Sequence, residues 1–134
     1  MPRGAIEHAN LTVTRPERSA ELFKQLCGWE ERWRGQSQMG GDTIHVGQPD
    51  NGATYLALYT NDKVEGAYSK GNPLNHVGLL VDDLVAAEQV VIAAGLEPFG
   101  HDDYDPGRRF YFFDWDGIEF EIVSYDNAKI GEAA

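Results

Sequence analysis

The chain repeats itself. Ile6-Glu7-His8-Ala9-Asn10-Leu11-Thr12-Val13 and Leu74-Asn75-His76-Val77-Gly78-Leu79-Leu80-Val81 both alternate like strands and both carry a histidine. Each runs into a helix-like stretch that stops at a glycine, Gly28 in the first case and Gly95 in the second. The two histidines stand about half of the 134 residues apart. A repeated unit that keeps its histidine predicts two half-sites, and a carboxylate near the end of the second half makes a metal the natural expectation.

Within each half the order is strand, helix, strand, strand, strand. The first strand is expected over about residues 5–13. Thr14-Arg15-Pro16-Glu17 then reads as a capping box with Thr14 at the N-cap, and Ser19, Leu22, Phe23 and Leu26 follow at helical spacing. Strands are expected from Trp29 to Arg34, Thr43 to Gly47 and Ala53 to Tyr59, with Pro49-Asp50-Asn51-Gly52 as the turn before the last. In the second half, strands are expected over Asn75–Val81, Leu96–Gly100, Arg108–Phe113 and Ile118–Ser124, with a helix capped by Asp82 or Asp83. The expected organisation is a single domain: module one at about 5–60, a polar linker at about 61–73, module two at about 74–125 and a tail at 126–134. One such βαβββ unit leaves the sheet face opposite its helix uncovered, and a second copy can cover it. The fold class is therefore α+β, with two βαβββ modules pairing into a cup-shaped mixed sheet and the helices outside.

Parity assigns the faces. Ala9, Leu11 and Val13 belong under the first helix, which leaves His8, Asn10 and Thr12 toward the cavity. Val77, Leu79 and Val81 belong under the second helix and leave His76 on the other face. Phe120 and Ile122 are the helix-side pair of the last strand, so Glu119 and Glu121 point with the histidines. Two imidazoles and one carboxylate suit Fe(II), Mn(II), Ni(II), Co(II) or Zn(II) and leave positions open for substrate or water.

Composition limits the partners. A net charge of −11 disfavours nucleic acid and anionic membrane surfaces. No apolar run approaches the roughly 20 residues of a membrane span, and Met1-Pro2-Arg3-Gly4 lacks a signal-peptide core, so a cytoplasmic location is expected. Cys27 is the single cysteine and reads as a buried structural thiol. Phosphate-cradling glycine loops and a Gly-x-Ser-x-Gly elbow are absent from the sequence.

Several residues read as either functional or structural. Arg109 could hold a substrate carboxylate or sit as a solvated rim cation. Tyr111 could donate to a metal-bound oxygen or pack as a core aromatic. His45 could be a general base or a buried imidazole. Trp33 could line the pocket or the core. His101 opens the acidic segment His101-Asp102-Asp103-Tyr104-Asp105, which reads as a solvated loop or lid.

At the histidines and the terminal motif the chain resembles the vicinal oxygen chelate superfamily, which includes glyoxalase I, fosfomycin-resistance thiol transferases, methylmalonyl-CoA epimerase, extradiol dioxygenases and bleomycin-resistance proteins. The resemblance runs from about residue 5 to 125. Asp114-Trp115-Asp116-Gly117-Ile118-Glu119-Phe120-Glu121-Ile122 resembles the family's Asp-Pro-Asp-Gly-Asn-x-Ile-Glu-Leu ending, with Trp115 in place of proline and Ile118 in place of asparagine. It implies His8, His76 and Glu121 as ligands to one divalent metal ion per site, with Glu119 as the fallback carboxylate. Aligning Asn51-Gly52 with Asp116-Gly117 sets Leu56 opposite Glu121, where glyoxalase I and the epimerase carry a fourth ligand. The implied function is a metal-dependent enzyme, a glyoxalase-like lyase or isomerase or a dioxygenase, acting on a small oxygenated substrate. Glu121, Tyr111 and His45 are its candidate catalytic groups, and Arg109, Trp33, Asn10 and Leu56 its candidate substrate contacts. The alternative is a non-catalytic small-molecule-binding protein of the bleomycin-resistance type. Relatives usually form homodimers, and a homodimer is expected here.

Overall fold

The computed structural model describes residues 2–38, 40–49, 54–104 and 107–125. The chain divides into two compact units, Met1–Glu65 and Gly66–Ala134.

Unit 1 contains β1 (His8–Thr12), α1 (Pro16–Cys27), β2 (Glu30–Gln36), β3 (Asp42–Gly47) and β4 (Tyr55–Thr60). Its sheet has the order β1-β4-β3-β2, with β1 parallel to β4 and the other neighbours antiparallel. Helix α1 starts one residue later than the capping box requires. Arg15 is the N-cap and makes no side-chain cap bond, and Pro16 occupies the first turn. Thr14 is spent elsewhere: its Oγ1 accepts from Arg18 Nη2 at 3.2 Å. Gly28 ends the helix as expected, in the left-handed region at φ 68°, with its N–H donating to Lys24 O at 2.9 Å. The helix packs on β3 and β4, and Leu22, Phe23, Val13, Ile44, Val46 and Leu58 form a core almost without exposure.

Unit 2 repeats the plan with β5 (Val77–Leu80), α2 (Leu84–Ala93), β6 (Phe99–Tyr104), β7 (Gly107–Phe113) and β8 (Glu119–Tyr125), in the order β5-β8-β7-β6. Asp83 caps α2, its Oδ1 accepting from Ala86 N–H at 3.0 Å. Phe110, Phe112, Phe120, Ile122 and Val91 are fully buried, and each such side chain contributes about 1.5–3 kcal/mol by leaving water. The segment read as a loop from His101 is strand. β6 begins at Phe99, and Asp102 pairs with Arg109 of β7. Cross-strand pairing offsets the low strand propensity of Asp. The Asn51-Gly52 turn and the 126–134 tail lie outside the described residues.

Both units are thus βαβββ modules with their own four-stranded mixed sheet and one helix each.

Candidate metal and substrate site

Once His8 is matched to His76, strand register puts the two modules in correspondence. In unit 1, Asn10 pairs with Ala57, Ala57 with His45, and His45 with Trp33. In unit 2, Gly78 pairs with Glu121, Glu121 with Tyr111, and Tyr111 with Phe99. With His8 matched to His76, the counterpart of Glu121 is Ala57, that of Tyr111 is His45 and that of Phe99 is Trp33.

This overturns one expectation. Leu56 pairs with Ala9 and Val46 and is 7% exposed, on the same face as Leu58. It is a core residue under α1 and lies on the face opposite His8. Counting from the turn placed it one residue off, and one residue reverses the face of a strand. The residue opposite Glu121 is Ala57, which offers no donor to a metal either.

In unit 2 the acid is built by the turn before β8. Asp114 Oδ1 accepts from the N–H groups of Asp116 and Ile118, both at 2.9 Å, and Asp114 N–H donates to Ile118 O at 2.9 Å. Gly117, at φ 87°, completes the turn, and a Cβ there would meet Tyr68 O at 3.1 Å. Glu119 and Glu121 then leave this turn on one face of β8, both buried. Glu121 is held from two sides: His76 Nε2 lies 3.0 Å from Oε1, and Arg109 Nη1 donates to Oε2 at 2.5 Å. His76 sits one residue ahead of β5, and its Nδ1 lies 2.8 Å from Asn75 Oδ1. Tyr111 presents its ring edge to His76 at 6.0 Å between centroids. Glu119 is paired with Lys70 Nζ at 2.5 Å. Lys70 falls in the segment read as linker, where no periodicity marks it out.

In unit 1, His8 stacks on Tyr55 at 4.9 Å, Tyr55 on His45 at 4.4 Å, and His45 meets Trp33 at 4.8 Å. Arg32 lies over the Tyr55 ring at 5.6 Å. Tyr55 was not singled out from the sequence, although its alternation with Ala57 and Tyr59 places it with His8. Burial first, then the neighbouring His8 and Arg32, hold the His45 imidazole below its ordinary value, so it is a neutral proton acceptor near pH 7. Asn10 is exposed on the same face. Cys27 is half-buried and its thiol is pushed up to about 12 by burial, which leaves it protonated and inert. His101 pairs with Glu88 at 2.7 Å in a separate cleft beside α2.

The structure therefore brings together His76, Glu121, Arg109 and Tyr111 in one unit, and His8, His45 and Trp33 in the other. Among the described residues no group of three His, Cys, Asp or Glu side chains gathers as a metal-holding cluster. The donor chemistry nonetheless fits an ion. His76 Nε2 and Glu121 Oε1, 3.0 Å apart, are an imidazole nitrogen and a carboxylate oxygen, donor types that divalent transition metals accept.

Comparison with known proteins places the fold. No helix is long and apolar enough to cross a membrane among the described residues. No curated protein matches the chain closely enough in sequence to serve as a guide. Among solved structures, a glyoxylase/bleomycin resistance protein/dioxygenase domain from Frankia sp. EAN1pec is similar with a TM-score of 0.76 at 22% identity, covering 92% of this chain and 99% of that one. The fosfomycin resistance protein FosX from Listeria monocytogenes, complexed with Mn(II) and sulfate, gives a TM-score of 0.69 at 14% identity over 98% of this chain and 100% of that one. A glyoxalase family protein from Enterococcus faecalis gives 0.67 at 18% identity over 89% and 96%. These likenesses concern the fold. The sequence profile of the Glyoxalase/Bleomycin resistance protein/Dioxygenase superfamily matches residues 5–122, and the chain belongs to that superfamily.

Proposed function

We propose that the chain is a divalent-metal-dependent vicinal oxygen chelate enzyme acting on a small oxygenated substrate. The observation that carries this reading is the His76–Glu121 pair, an imidazole nitrogen and a buried carboxylate oxygen 3.0 Å apart. His76 and Glu121 would hold the ion, and His8 is assigned as the third ligand because it occupies the repeat-equivalent position. Imidazole and carboxylate without thiolate suit Mn, Fe, Co, Ni or Zn. The metal centre would supply Lewis acidity toward a carbonyl or an enolate.

The chain's own groups have separate tasks. Arg109 fixes Oε2 of Glu121 and so directs Oε1 toward His76. Tyr111 stands beside His76 as a hydrogen-bond donor to a substrate oxygen. His45, kept neutral, accepts a proton. With Ala57 at the counterpart of Glu121, the ligand set would be three side chains, and the ion would stay open to substrate oxygens and water.

The Arg109–Glu121 ion pair also favours a second reading. The guanidinium already neutralises the carboxylate, as a metal-free binding protein of the bleomycin-resistance type would require. Calorimetry separates the two. Wild-type protein is expected to bind about one Mn(II) or Zn(II) per chain, and His8→Ala, His76→Ala and Glu121→Gln each to lose tight binding while staying folded. Wild-type metal affinity in all three variants would remove the ligand assignment, and no metal uptake by wild type would favour the binding protein. We further propose that the chain acts as a homodimer.

A further inference from the structure

We propose that the face of unit 1 bearing Trp33, His45, Tyr55 and His8 is a stacking platform for a planar aromatic anion, which narrows the substrate to an aromatic carboxylate or a comparable ring-bearing acid. The proposal deepens the functional reading above, since it takes the His8 face as the substrate face.

The rings form a continuous series. His8, Tyr55 and His45 lie near parallel, at interplanar angles of 9° and 27°, and Trp33 closes the series on the edge strand β2. A cross-strand ring ladder buried for packing alone would hide its last member. Trp33 is instead 47% exposed. It is also held down. A Cβ on Gly35 would lie 2.6 Å from the indole Cζ2 and 2.7 Å from Cη2, so the ring lies over its own strand and only glycine at position 35 leaves room for it. One side of the indole rests on Gly35, the His45 ring adjoins it at 44°, and the remaining surface is open to a flat partner. Offset stacking on such a ring adds to the area buried.

The charge of the ligand follows from the same face. The whole chain carries −11, yet Arg32 lies over Tyr55. A guanidinium set over an aromatic face on an acidic protein selects an anion with a π-face. The matching place in unit 2 holds Phe99 against Tyr111, with the Glu121 carboxylate next along the register. The anion preference therefore belongs to unit 1.

The test uses two probes of equal charge and carbon skeleton, planar 2-naphthoate and puckered decahydro-2-naphthoate. Each is titrated calorimetrically into metal-loaded and into EDTA-treated protein. Wild type is expected to bind the planar acid about tenfold more tightly than the saturated one. Trp33→Ala and Gly35→Val should bring that ratio to within about twofold of unity, and Trp33→Phe should retain most of it. Should Trp33→Ala fail to fold, Gly35→Ala reads the same contact. A wild-type ratio near one, or an undiminished ratio in folded Trp33→Ala or Gly35→Ala, overturns the platform. The ratio is expected to persist in EDTA. Absence of metal uptake by the wild type, with the ratio intact, would therefore refute the metal reading and leave the platform standing.

Discussion

Glu121 is the residue on which most of the site depends, because it is buried, ionisable and held between His76 and Arg109. A buried carboxylate needs a partner for each oxygen, and here one partner is a fixed cation and the other a titratable imidazole. Leu56, one residue from the counterpart of Glu121, shows how sharply strand parity separates chemistry from packing. Leu56→Glu places a charge beneath α1, among Val46 and Leu58. It should cost several kcal/mol, leaving little folded protein by thermal melting. Leu56→Met, nearly equal in volume, should cost under about 1.5 kcal/mol. A Leu56→Glu protein with a wild-type melting temperature would return residue 56 to the open face and undo the register correspondence. The sequence singled out His76, Glu121, Arg109 and Tyr111 as candidates, and parity set His76 and Glu121 on one face; that Arg109 and Tyr111 share it is seen only in the structure. The sequence missed Lys70 and Tyr55. Lys70 reaches Glu119 from a segment without periodicity, and Tyr55 gains its place from rings on two other strands.

At the level of elements, the two helices are started by different means, and their stabilities should respond differently. Asp83 makes a direct cap bond to Ala86 N–H at 3.0 Å, whereas α1 has no side-chain cap and begins on Pro16. Asp83→Ala should therefore lower unfolding free energy by about 1 kcal/mol. Thr14→Ala, which removes the Arg18 contact but no cap bond, should change it by less than about 0.5 kcal/mol. Equal losses in denaturant titrations would mean that Thr14 caps α1 after all. The succession of strands and helices along the chain was legible because hydrophobic period changes from 2 to 3.6 and back in each half, whereas the order of strands within each sheet came from the structure. The N-cap of α1 was not, since Thr14 and Arg15 both precede a proline and local sequence does not choose between them. The extension of β6 past Gly100 was not legible either, because His101, Asp102 and their neighbours owe their strand conformation to pairing with Arg108 and Arg109.

For the whole molecule, the repeat was the most readable property, and the correspondence of its faces required the observed registers. The proposed homodimer makes a direct prediction: sedimentation at micromolar concentration should show a species near twice 14.9 kDa. A single species at the mass of one chain would remove it. The parallel pairing of the first and last strand in each module has a consequence for how the protein acquires its chemistry. β5 can pair only after β8 exists, and the pairing sets Gly78 against Glu121, two residues beyond His76. Parallel closure over so long a loop is a late event in folding. During synthesis the imidazole emerges 45 residues before its carboxylate, and the two are not brought together until the sheet closes. The His76–Glu121 pair and the complete second sheet therefore form in one step, so a nascent or truncated module that ends before β8 has neither. Any ion captured by this pair is captured by the finished module.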